Sequence, residues 1–155
     1  MSRIDRAVLR FLLMAMMAAA PAVFAADIKL HVDDTTVARG EQIAGAAAFI
    51  VRLDQPLPKG AVVTLDWETV DGTAMQKVDY IAGKGSVTMK AGDGKMKVLA
   101  VVPLITAKGV AQKCAFAVKV KASITGDNTI IVDNREARAM ATIYKDTTRV
   151  APRAN

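Results

Sequence analysis

After residue 26 the chain alternates apolar and polar residues with a period of two, in short blocks separated by turn-forming residues. That periodicity is the signature of half-buried strands and is incompatible with the 3.6-residue repeat of an amphipathic helix. Ile28, Leu30 and Val32 interleave with Lys29 and His31 in a first strand that ends at Asp33-Asp34. Phe49, Val51 and Leu53 do the same before Pro56-Leu57-Pro58-Lys59-Gly60, where proline cannot donate to a ladder. Val63, Leu65 and Trp67 follow, before Asp71-Gly72 turns the chain.

Further along, Ser86 to Lys90 forms a short strand that stops at Ala91-Gly92-Asp93-Gly94, and the valine-rich Lys95 to Leu104 reads as a central strand. Cys114, Phe116, Val118 and Val120 line one face of the next, and Ile130 to Val132 and Ala137 to Tyr144 close the set. Seven or so strands at this spacing, with no helical pattern beyond the N-terminal segment, predict one all-β domain built as a two-sheet sandwich.

Residues 1–25 stand outside that pattern. Arg3, Arg6 and Arg10 precede an apolar run from Phe11, and Val23-Phe24-Ala25 supplies a cleavage sequence, so this segment reads as a secretory signal peptide. The apolar run is interrupted by Pro21 and falls short of the roughly 20 residues that span a bilayer. The expectation is an exported domain of residues 26–155, periplasmic or secreted, with no membrane span after cleavage. Losing three arginines and one aspartate lowers the net charge from +6 to +4. The remaining cations form no block and only one tryptophan and two tyrosines are present to stack bases, which argues against a nucleic-acid partner.

Catalytic groups are scarce. His31 is the only histidine and falls on the polar side of its strand, and no serine has a nucleophile-elbow context, so no catalytic residue is assigned. One histidine and one cysteine cannot supply a zinc site, and Cys114, with no partner for a disulfide, reads as a buried small hydrophobe. Gly83-Lys84-Gly85-Ser86 leads into a strand rather than opening a helix, so it is expected to be a β-turn and not a phosphate loop.

One stretch carries a more specific signal. Trp67-Glu68-Thr69-Val70-Asp71-Gly72-Thr73-Ala74, followed by Val78-Asp79-Tyr80, resembles the Calx-beta domain. The similarity continues through Gly85-Ser86-Val87-Thr88-Met89, the Ala91-Gly92-Asp93 turn, Val102-Pro103-Leu104-Ile105, Phe116 to Val120 and Ala141-Thr142-Ile143-Tyr144. The resemblance implies a seven-stranded, immunoglobulin-like antiparallel β-sandwich, as in sodium/calcium exchangers, integrin β4 and many extracellular bacterial proteins. In calcium-binding members, carboxylates at one end of that sandwich hold the ion.

Here most of those carboxylates are replaced. Arg39 stands before Gly40 where a glutamate is expected; Thr106, Ala107 and Lys108 replace an acidic loop, and Ala111 a later glutamate. Lys145 and Thr147 flank Asp146 in the terminal run. The surviving pair, Asp79 and Asp146, reads as the vestige of a calcium end, with Arg39, Lys108 and Lys145 as the cations that balance it. No metal or other cofactor is expected, since calcium needs six to eight oxygens and much carboxylate charge. These readings together describe a non-enzymatic binding or structural module that contacts another envelope or extracellular protein. The competing reading is a calcium-binding regulatory or adhesion module that rebuilds a site from Asp127, Asp133 or Glu136.

Overall fold

A computed structural model describes residues 26–40, 45–106, 113–126, 130–133 and 136–145. Nine strands are described and no helix: β1 (Ala26–Val32), β2 (Thr35–Arg39), β3 (Ala46–Leu53), β4 (Val62–Val70), β5 (Lys84–Lys90), β6 (Met96–Pro103), β7 (Lys113–Thr125), β8 (Ile130–Asp133) and β9 (Glu136–Lys145). They form a four-stranded sheet ordered β6-β3-β1-β8 and a five-stranded sheet ordered β2-β9-β7-β4-β5. The sheets pack face to face, and the alternating apolar residues seen in the sequence fill the space between them, including Ile28, Leu30, Phe49, Leu65, Phe116 and Ile143.

The predicted first strand is the opening half of a longer path. At Asp33-Asp34 the chain leaves one sheet and enters the other, and each aspartate fastens it to a different sheet. Asp33 pairs with Arg52 of β3, while Asp34 Oδ1 accepts the Met140 N–H of β9 at 2.7 Å. The continuation, β2, runs parallel to β9 and sets Arg39 opposite Lys145. This switch of sheets adds β2 to the strands read from the sequence, because one run is divided between an inner position in one layer and an edge of the other. The sequence offers no period-two signal there, since Thr35-Thr36-Val37-Ala38 is neither clearly apolar nor clearly alternating.

Two other expectations change. The valine-rich segment is β6 and lies at the edge of its sheet, not at the centre. Its register shifts against β3 between Phe49 and Ile50, Leu99 and Ala100 are both buried, and Val98 and Val101 stand 54% and 56% exposed. A bulge of this kind twists an edge strand out of line for pairing. Lys97 points the other way and crosses to the second sheet, where its amine donates to the Thr88 carbonyl at 2.7 Å and to Asp93 at 3.2 Å.

Gly83-Lys84-Gly85-Ser86 is not a β-turn, since β5 already begins at Lys84. Gly85 lies directly across from Trp67, and a Cβ there would come within 3.0 to 3.1 Å of the indole. The glycines make room for the ring, which packs half-buried against the core.

Candidate functional site

The segment between β4 and β5 builds one end of the sandwich. It begins where Gly72 passes so close to β7 that a Cβ would stand 2.5 Å from the Ala115 carbonyl oxygen. That oxygen accepts the Ala74 N–H at 2.8 Å, and the Ala115 N–H donates to Thr73 Oγ1 at 2.9 Å. Asp71-Gly72-Thr73-Ala74 is therefore a clip that continues the sheet's hydrogen bonding beyond the end of β4. Glycine is required for the approach, threonine supplies the acceptor, and Ala74 is buried.

From the clip the chain makes a tight excursion and returns. Asp71 Oδ1 accepts both the Tyr80 hydroxyl and the Gln76 N–H, closing the base of the loop. The Tyr80 ring stacks on Phe116 with centroids 4.1 Å apart and planes 13° from parallel. Burial, and then the bond to Asp71, push the Tyr80 phenol well above its ordinary range, so it acts as a hydrogen-bond donor. The adjacent residue in sequence, Asp79, is thereby turned into the protein.

Arg39 meets it there. Its Nη2 lies 2.9 Å from Asp79 Oδ1, and the two side chains are 1% and 5% exposed. Nη1 donates to the Asp79 carbonyl at 3.2 Å and to the Ile105 carbonyl at 3.5 Å. The second carboxylate oxygen, Oδ2, accepts the Met75 N–H at 2.9 Å, and the Ile105 N–H returns a 2.9 Å bond to the Asp79 carbonyl. Cys114 completes the cluster, its Sγ 3.7 Å from Asp79 Oδ1 and 3.8 Å from Arg39 Nη2. Burial and the neighbouring carboxylate raise the thiol's pKa, opposed by the guanidinium, so the sulfur carries its proton and donates toward Asp79. One atom is left over: Arg39 Nε is buried without a hydrogen-bond partner among the described residues.

A lone buried carboxylate would be strongly disfavoured, so an opposite charge with hydrogen-bond geometry is needed beside it. Arg39 meets that need and also ties β2, the 71–83 segment and the chain after β6 into one unit. Both oxygens of Asp79 are thereby engaged. Among the described residues, no group of three or more histidine, cysteine, aspartate or glutamate side chains is placed to hold a metal ion.

The other residues singled out in the sequence are distributed as follows. Lys145 ends β9 opposite Arg39 and is half-buried. Lys108, Asp127 and Asp146 lie outside the described residues. Asp133 ends β8, and Glu136 begins β9 on the exposed face, across from Lys121 of β7. His31 is exposed on β1, across from Arg52. The sequence reading placed Cys114 on the inner face but missed its contact with the ion pair, as well as the Met75 amide and Ile105 carbonyl. The single usable signal was the alternation that puts the thiol inward near the start of β7.

A family model for the Calx-beta domain matches residues 25–147. No curated protein matches at a significant level. Among solved structures, the apo-form Calx CBD1 domain is 17% identical, with a TM-score of 0.51 over 77% of this chain and 97% of that one. The Calx CBD2 domain is 12% identical, with a TM-score of 0.58 over 77% and 88%. The calcium binding domain CBD12 of CALX1.1 is 15% identical at a TM-score of 0.55, and the match covers 75% of this chain and 44% of that chain. At these identities the likeness to solved structures is one of fold.

Proposed function

The chain belongs to the Calx-beta domain family, and from that premise we propose that it is an exported, non-catalytic module that binds another envelope or extracellular protein, with an arginine rather than calcium holding its loop end together. The observation that carries this reading is the buried Arg39–Asp79 pair at 2.9 Å. A calcium ion takes six to eight oxygens, and much of its affinity comes from several carboxylates. The described donors do not fit that requirement: Asp79 has one oxygen on the guanidinium and the other on the Met75 amide, and lysine or arginine stands at positions where calcium-binding members place acids.

A fixed guanidinium differs functionally from a bound ion. Its charge is permanent, its donors match a carboxylate and backbone carbonyls, and it cannot dissociate when ambient calcium falls. The consequence is a constitutively formed loop end and partner binding without regulation by calcium.

The test is affinity purification from the envelope and secreted fractions on immobilised chain beginning at Ala26, run once in calcium and once in chelator. The reading expects the same protein retained equally in both. Retention only in calcium would refute constitutive binding, and retention of no protein in either would refute the contact function.

A further inference from the structure

The loop that encloses Asp79 carries a second feature that the ion pair does not use. Met75, Val78 and Ile81 are 57%, 53% and 55% exposed, three large apolar side chains presented within seven residues. From this loop we infer a docking element for an anionic lipid surface, with the three apolar side chains entering the acyl boundary and Lys77 and Lys84 resting among the headgroups.

The first argument is rigidity. Asp79 Oδ2 holds the Met75 N–H, Asp71 Oδ1 holds Gln76 and Tyr80, Lys77 N–H bonds the Tyr80 carbonyl at 2.9 Å, and Ile81 N–H bonds the Pro103 carbonyl at 2.9 Å. Lys77 itself is held at φ 68°, a conformation that a non-glycine residue adopts at a cost. With both ends of the loop and its middle fastened, the apolar side chains are kept outward instead of folding back on the core.

Charge supplies the second. Of the loop's two acids, Asp79 is buried on Arg39, while Asp71 is exposed and engages the Gln76 amide and the Tyr80 hydroxyl through Oδ1. At the tip the exposed charge is Lys77, between Met75 and Val78; Lys84, exposed at the start of β5, faces exposed Glu68 across the register, and neither lysine is in an ion pair among the described residues. Cationic side chains beside an apolar tip complement a surface that is negative outside and apolar beneath, the chemistry of anionic phospholipid.

The side-chain types favour lipid over a protein partner. Protein hot spots are enriched in tryptophan, tyrosine and arginine. Here the loop's tyrosine is 1% exposed, and the nearby arginine, Arg39, is also 1% exposed. The large apolar side chains that the loop exposes, Met75, Val78 and Ile81, are aliphatic or thioether and carry no directional polar handle. The outward row of β6, with Val101, Val98 and Met96 each more than half exposed, leads away from the Ile81–Pro103 bond and extends the apolar flank.

The experiment is vesicle co-sedimentation of the chain beginning at Ala26, which contains every described strand. Vesicles of phosphatidylglycerol in phosphatidylcholine are compared with phosphatidylcholine alone. The expected result is binding to the anionic vesicles that weakens with added salt, and weak binding to the neutral ones. Replacing one half-exposed anchor, Val78→Ser, should weaken binding about fivefold, and the triple variant M75S/V78S/I81S about a hundredfold. Lys77→Gln should cost about fivefold on anionic vesicles only. The unfolding midpoint of each variant shows whether the sandwich is intact. Equal binding to both vesicle types, no binding to either, or a triple variant that binds like the parent would overturn the inference. None of these results bears on whether Arg39 stands in for calcium, which is read by stability and not by sedimentation.

Discussion

Replacing Arg39 by methionine isolates the contribution of the buried ion pair. Methionine keeps most of the apolar stem and removes the guanidinium, leaving Asp79 at 4% exposure with the Met75 amide and the Cys114 thiol as its remaining donors. Removing one partner of a buried pair costs about 3–5 kcal/mol, because the other charge stays desolvated and uncompensated. At about 3–5 °C per kcal/mol for a domain of this length, the midpoint should fall by about 10–20 °C. Asp79→Asn should cost a similar amount for the converse reason. The double variant R39M/D79N should cost no more than about one of the singles, giving a coupling energy of about 3 kcal/mol. Urea unfolding followed by far-UV circular dichroism gives all four free energies on one scale, with the slope reporting whether the unfolded state has changed. An Arg39→Met cost below about 1 kcal/mol, the range of an exposed pair, would refute the reasoning. So would singles that add within about 0.5 kcal/mol, the behaviour of independent sites.

Other outcomes follow from single contacts. Gly72→Ala puts a methyl 2.5 Å from the Ala115 carbonyl oxygen, so the clip must open, and thermal unfolding should show a loss of at least about 2 kcal/mol. Gly85→Ala meets the indole at 3.0 Å and should shift Trp67 fluorescence at a smaller cost, since a side chain gives way more readily than backbone. Tyr80→Phe leaves the Phe116 stack and removes the bond to Asp71, a loss of about 1–2 kcal/mol by urea unfolding. The Cys114 and Tyr80 pKa values are both raised in the folded protein, so the folded chain keeps protons that the unfolded chain gives up. Their contribution is complete below about pH 8.5, and stability should decline as pH rises past the ordinary thiol and phenol values; a denaturation series from pH 7 to 10.5 reads the slope.

The strands were legible because each has a buried face, and alternation records that directly. Asp33-Asp34 was readable as an end, but not as a crossing between sheets, because the partners that fasten it, Arg52 and Met140, belong to distant strands. β6 looked central because valine content reports strand propensity and not position in a sheet. Its outward Val98 and Val101 are apolar and exposed, so composition misleads there. Gly85 resembled a turn residue because glycine's commonest use is conformational, whereas here it yields space to Trp67 across the register.

At the site, Arg39 and Asp79 were named from the family pattern, not from local signals. Their contact spans 40 residues of sequence, and that of Arg39 with Cys114 spans 75, separations fixed by the parallel β2–β9 pairing and the β7–β9 register. Nothing in a linear reading marks Met75 and Ile105 as contributors, because both act through the backbone. The Asp71-Gly72-Thr73-Ala74 clip was recognisable as a motif, yet its physical reason, the close pass under Ala115, exists only once β4 and β7 are paired.

The claim that a guanidinium stands in for a metal ion is tested most directly by thermal unfolding of the chain beginning at Ala26 in calcium from zero to millimolar, with magnesium as control. A site a hundredfold above its dissociation constant would add about 2.7 kcal/mol, a rise of several degrees. With the guanidinium in place of the ion, the midpoint is expected to stay flat in both ions. A rise specific to calcium would contradict it and return the loop end of the sandwich to a metal-dependent one.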